Sequence, residues 1–168
     1  MAVSVWEAAR GKHRPPVWAC RVTAGEAVAF DSSWVSVRFR TADDARWFVG
    51  LVQTLYNRGA FLGPPGHRRV EPDVRWGGRL NDDCAAFAGD LYAHAEHLDG
   101  PRRGGVWYCS VSRGGSYLFH TADRGVVPRD GEAARWLCEV IIAAARAGAW
   151  DQLGAVERPT VTTADPRG

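Results

Sequence analysis

One pattern is written twice in this chain. Val17-Trp18-Ala19-Cys20 returns as Val106-Trp107-Tyr108-Cys109, and Ala45-Arg46-Trp47 returns as Ala134-Arg135-Trp136. The interval is constant, since 107 − 18 and 136 − 47 both give 89. At the same interval Val22 meets Val111, Gly25 meets Gly114, Phe30 meets Phe119, Arg40 meets Arg129 and Gly59-Ala60 meets Gly148-Ala149. No gap is needed from Val17 to Phe61. A copy of this size is small for independent stability, so the two are expected to share one core as a pseudo-dimer.

The pattern within each copy reads as α-β-β-β-α. A short helix is expected over residues 2 to 10, with Val5, Ala8 and Ala9 on one side. Its partner in the second copy is expected over 81 to 98. There Asn81 suits an N-cap, Asp82 and Asp83 suit the positive end of the dipole, and Gly100-Pro101 stops the run. Cys84, Phe87, Ala88, Leu91, Ala95 and Leu98 fall at helical spacing.

Strands follow over 17 to 23 and 106 to 112, with Trp18, Cys20, Val22 and Trp107, Cys109, Val111 facing inward. Gly25 and Gly114 sit where a hairpin needs a positive φ. The next strand runs to Phe30 or Phe119. A third alternates over Trp34 to Arg40; its copy, Arg124 to Arg129, carries Gly125 and Pro128 and should be shorter or at an edge.

Each copy closes on a helix. Thr41 with Asp44 resembles a capping box, and Asp130 caps the second. Ala45, Phe48, Val49, Val52 and Leu55 face the core, matched by Ala134, Leu137, Cys138, Ile141 and Ala144. Gly59 and Gly148 take the left-handed position past each helix end. The expected fold is therefore α+β, an internal duplication forming a pseudo-two-fold single domain with helices on antiparallel sheet. The copies span 1–61 and 81–150, joined by a Gly/Pro/Arg-rich connection over 62–80, with a tail over 151–168.

The chain has 168 residues, 46% of them hydrophobic, enough for one ordinary core. A formal net charge of +2 makes no general case for an acidic partner. Lys12 is the lone lysine, so abundant arginine reflects composition more than phosphate recognition. No apolar run reaches the roughly 18 residues of a membrane span, and no signal-peptide pattern opens the chain. Cys20, Cys84, Cys109 and Cys138 form no C-x-x-C pair, which fits reduced thiols in a cytoplasm.

The outward side of the sheets is the first candidate for function. By strand parity it carries Arg21, Trp34, Ser36, Arg38 and Arg40 in the first copy, and Tyr108, Ser110, Ser112, His120 and Arg129 in the second. Aromatic rings interleaved with arginine anchor protein interfaces, and they also stack bases. The bland reading packs this face on the other copy or on a second chain, with the arginines merely solubilising it. A basic group, His67-Arg68-Arg69, Arg75, Arg79 and Arg102-Arg103, is threaded with Glu71, Asp73, Asp82 and Asp83, so local neutralisation is the default.

Asp90, His94 and His97 would share one face of the expected helix, a ligand spacing for zinc or iron, though a solvated helix face explains them as well. His120, Asp123 and Ser110 or Ser112 offer the residue types of a hydrolytic triad. Gly114-Gly115-Ser116 fails as a nucleophile elbow because Leu118 stands where the second glycine belongs. There is no Walker loop, strand-coupled G-x-G-x-x-G or H-E-x-x-H. Trp47 and Trp136 read as covers for the core edge, with Arg46 and Arg135 laid across them.

In order of elements the unit is similar to double-stranded-RNA-binding domains, and the tandem plan resembles TATA-binding-protein-like saddles. The first resemblance implies a basic start to the last helix, where Asp43-Asp44 and Asp130-Gly131-Glu132 stand instead, against RNA binding in that mode. The expectation is a cytoplasmic, non-catalytic macromolecule-binding protein without cofactor or membrane partner. A protein partner of adaptor, antitoxin or immunity type comes first, with a homodimer as one form of it. Nucleic acid is the alternative, and an enzyme with a site between the copies comes third.

Overall fold

The computed structural model describes residues 1–9, 16–60, 73–78, 83–98 and 106–150. The strands are β1 (Ala2–Ala9), β2 (Val17–Ala24), β3 (Ala27–Asp31), β4 (Val37–Phe39), β5 (Arg75–Gly78), β6 (Cys84–Ala88), β7 (Leu91–Leu98), β8 (Val106–Arg113), β9 (Ser116–His120) and β10 (Val126–Pro128). The helices are α1 (Ala42–Asn57) and α2 (Gly131–Arg146). The fold is α+β, two antiparallel sheets backed by two helices.

Both expected leading helices are strands. Residues 2–9 pair along β2, and 84–98 make the hairpin β6–β7. Buried Cys84, Ala86 and Ala88, then Leu91, Ala93 and Ala95, alternate with a period of two. Gly89-Asp90 is the two-residue turn between them, with Gly89 at φ 69 in the position where a II′ turn takes glycine. The helical spacing of 84–98 was fortuitous: Phe87, assigned to its buried stripe, is 73% exposed.

From Val17 to Ala60 and from Val106 to Ala149 the expected elements hold, except that the strand expected over Trp34 to Arg40 is only Val37–Phe39. β2, β3, β4 and α1 have β8, β9, β10 and α2 at the interval of 89, with the same bounds. Gly25 (φ 62) and Gly114 (φ 56) open the hairpins, and Gly59 (φ 66) and Gly148 (φ 63) follow the helices. Thr41 and Asp44 form a full capping box, and Asp130 accepts from the Ala133 amide. β4 and its counterpart are equally short, because Trp34 to Ser36 turns before Val37.

The halves meet strand to strand. β4 and β10 pair antiparallel with Arg38 opposite Val127, its own counterpart at the interval. Reciprocal bonds frame this pair: the Arg40 amide donates to Gly125 O (2.8 Å), and the Arg129 amide donates to Ser36 O (3.1 Å). Trp18 bridges Phe39 in the first half. In the second, Pro128 replaces Phe39 and has no N–H, and β10 lies beside β8 outside its ladder. β10 is thus an edge of the first sheet.

One buried cluster draws on both halves. The expected inward faces of β2 and β8 and of both helices all lie in or against it. Its aromatic contacts cross over. Trp136 of α2 stacks on Phe30 of β3 (5.9 Å, 2°), and Trp47 of α1 stacks on Phe119 of β9 (6.1 Å, 5°). The arginines lie elsewhere than expected. Arg124 covers Trp47, Arg135 covers Trp76, and Arg46 pairs with Asp43 in solvent. Trp76 also donates to the buried Glu139 carboxylate (3.1 Å), which fastens β5 to α2.

The tail over 151–168, most of the 62–80 connection, and the candidates His67, Arg68, Arg69, Glu71, Arg79, Asn81, Asp82, Arg102 and Arg103 lie outside the described residues. Among the described residues no helix is long and apolar enough to cross a membrane.

Candidate interaction face

The register of β5 to β9 builds a row of side chains across five strands. Arg75 stands opposite Phe87, Phe87 opposite Tyr92, Tyr92 opposite Ser112 and Ser112 opposite Tyr117. A parallel row runs Gly77, Ala85, His94, Ser110, His120, and Glu96 faces Tyr108 beyond it. Their strand neighbours Ala86, Ala93, Val111 and Phe119 are buried against the helices, so these rows form the side turned away from α1 and α2.

Rings dominate that side. Phe87 and Tyr92 centroids lie 5.0 Å apart, Tyr92 and His94 stack at 6.4 Å, and His120 lies 6.1 Å from Tyr108 and 5.9 Å from Tyr117. Phe87 is 73% exposed and Tyr117 69%. Contiguous exposed aromatic area is uncommon on a surface with no partner, because each ring left in water forgoes about 1.5–3 kcal/mol of burial. The charge is mixed: Arg75 is exposed, Arg113 is held by Asp90 (2.9 Å), and Asp83 and Glu96 are acidic.

The corresponding surface of the first half is built round an ion pair instead. Arg21 of β2 donates to Asp31 of β3 at 2.7 Å and lies over the Trp6 ring (5.6 Å). Asp31 is 2% exposed and also accepts from the Ser33 hydroxyl (2.6 Å) and amide (2.8 Å). Burial by itself raises the Asp31 pKa, but Ser33 and the Arg21 guanidinium outweigh it and hold the carboxyl below its ordinary value. Ala19, where the second half has Tyr108, is fully covered.

The structure therefore brings only part of the sequence-derived set together. Tyr108 and His120 share the open face. Arg21 is committed to its ion pair. Arg38 is half-buried at the junction of the halves and donates to the Val37 carbonyl (3.0 Å). Arg40 and Arg129 are exposed at opposite ends of the β4–β10 pair. Trp34 lines a separate cleft of about 80 Å³ beside Asp130 and Glu132 at the start of α2. Phe87, Tyr92 and Tyr117 were missed, the first two because 81–98 read as helix. Gly89-Asp90 between apolar runs was the signal that would have found them.

Asp90, His94 and His97 do not assemble. On a strand His94 and His97 point to opposite faces, and His97 packs on Trp107 (5.1 Å) inside while Asp90 holds Arg113. The triad residues fare no better: the His120 Nδ1 accepts from the Ala122 amide (3.1 Å), the position an orienting carboxylate would need.

All four cysteines are free and buried. Burial pushes the Cys20 thiol up to about 12, only partly offset by the Ser32 hydrogen bond. Burial also raises Cys84 and Cys109, with Cys138 reinforcing the effect at Cys109. None of these three is a ready thiolate nucleophile.

Comparison of the chain with protein-family models, with curated proteins and with solved structures found no match.

Proposed function

We propose that this chain binds another protein through the outer face of β6 to β9 and performs no catalysis. The observation that carries the reading is the open aromatic platform of Phe87, Tyr92 and Tyr117, flanked by half-buried Tyr108, with Phe87 at 73% and Tyr117 at 69% exposure. Aromatic anchors of this kind supply most of the energy at protein interfaces. Asp83 and Glu96 at its margin oppose a phosphate backbone, which ranks nucleic acid second. We further infer that the halves arose by duplication of a β-β-β-β-α unit. Matching element bounds, reciprocal hydrogen bonds and crossed Trp–Phe stacks support that reading. The buried free thiols support a reducing compartment such as the cytoplasm.

Two measurements test the binding proposal. A partner captured from source lysate by the wild-type chain should be lost with the Phe87→Ser/Tyr117→Ser variant. Fluorescence anisotropy with single- and double-stranded DNA and RNA, at about 50 and 200 mM salt, should show no binding that falls roughly 10³-fold across that range. Such a salt slope, abolished by the same variant, would install nucleic acid as the ligand of this face.

A further inference from the structure

We propose that Asp83, His94 and Glu96 form a site for a divalent transition-metal ion of the zinc type. The inference is independent of the partner reading. His94 and Glu96 are two apart on β7 and so share its outer face. Cys84 is opposite Ala95, which sets the preceding residue, Asp83, across from Glu96. One imidazole nitrogen and one oxygen from each carboxylate lie within 4.8 Å of one another. An ion with bonds of about 2.1 Å seats donors roughly 3.4 Å apart in tetrahedral geometry, so small side-chain rotations close the set.

The electrostatics favour occupation. Two carboxylates facing each other across an antiparallel pair repel. Among the described residues neither has an ion pair or hydrogen bond of its own. A dication neutralises both. The imidazole nitrogen selects zinc-like ions over magnesium or calcium, which prefer oxygen alone. Tyr92 packs beside that ligand, its ring at 13° to the His94 ring with centroids 6.4 Å apart. Three protein donors on an exposed face leave the remaining positions to water or to a group from a bound partner.

The test is titration of the untagged full chain with zinc by calorimetry, and with cobalt by absorption. One equivalent should bind without the intense near-ultraviolet band of a thiolate ligand. His94→Ala and the near-isosteric Glu96→Gln should each weaken binding by at least about 10-fold. Asp90→Asn and His120→Ala should leave it unchanged, and circular dichroism should show each variant folded. No binding by the wild type, a thiolate band, or unchanged affinity in Glu96→Gln would overturn the site.

Discussion

Arg21 and Asp31 in the first half stand where Ser110 and His120 stand in the second, and the two pairs make opposite surfaces. The first forms an ion pair whose guanidinium lies over the Trp6 ring, with Ala19 covered nearby. The second sets a buried serine beside a half-buried imidazole that lies between Tyr108 and Tyr117. The inward positions at the same interval match: Cys20 and Cys109, Val22 and Val111, Phe30 and Phe119 are buried alike. One scaffold thus carries two outer faces, one built round an ion pair and one lined with aromatic rings. Core positions are fixed by packing, while outward positions are free to change chemistry.

The largest expected effect lies in the crossed stacks. Trp136 is 3% exposed against Phe30, whereas Trp47 is only half-buried and its indole N–H has no hydrogen-bond partner. Trp136→Ala should cost about 3–5 kcal/mol in denaturant unfolding. Trp47→Phe should cost less than Trp136→Phe, because it also removes an unsatisfied buried donor. Equal costs would mean that the two stacks are not distinguished by burial.

Next comes the pair of left-handed positions at the junction. Gly125 (φ 57) and Ser36 (φ 52) are equivalents, and each carbonyl accepts from an arginine amide of the other half. A Cβ at Gly125 would collide with the Asp44 carboxylate, which belongs to the α1 capping box. Gly125→Ala should therefore cost about 1–3 kcal/mol, while Ser36→Gly should be neutral or slightly stabilising. A costly Ser36→Gly would show that the serine side chain matters there.

Smaller again is the Arg21–Asp31 ion pair. Asp31→Asn should cost about 1–2 kcal/mol through its bonds to Ser33 and Arg21, against less than about 0.5 kcal/mol for His120→Ala. Because the folded Asp31 pKa lies below the unfolded one, its contribution is full above about pH 4 and is lost as the pH falls through the folded value. Denaturant midpoints measured from neutral pH down to about 3 should fall less steeply for Asp31→Asn than for the wild type.

The half of each copy from Val17 or Val106 onward was legible because caps, hairpin glycines and apolar faces agree there. The leading strands were not. Ala85, Ala86, Ala88, Ala93 and Ala95 give β6 and β7 a helix-favouring composition, and sheet pairing to β8 overrode it. That single misreading hid the exposed rings of Phe87 and Tyr92, since it turned Phe87 inward and set His94 beside His97. Tyr108 and His120 were legible from strand alternation alone. The ion pair that removes Arg21 was not, because it depends on which residue of β3 sits opposite β2.

The most direct test of the two-face account is hydrogen–deuterium exchange of the chain alone and with its captured partner. The account predicts new protection in 84–98 and 106–120, with 2–9 and 17–31 unchanged. Protection confined to 2–9 and 17–31 would contradict it.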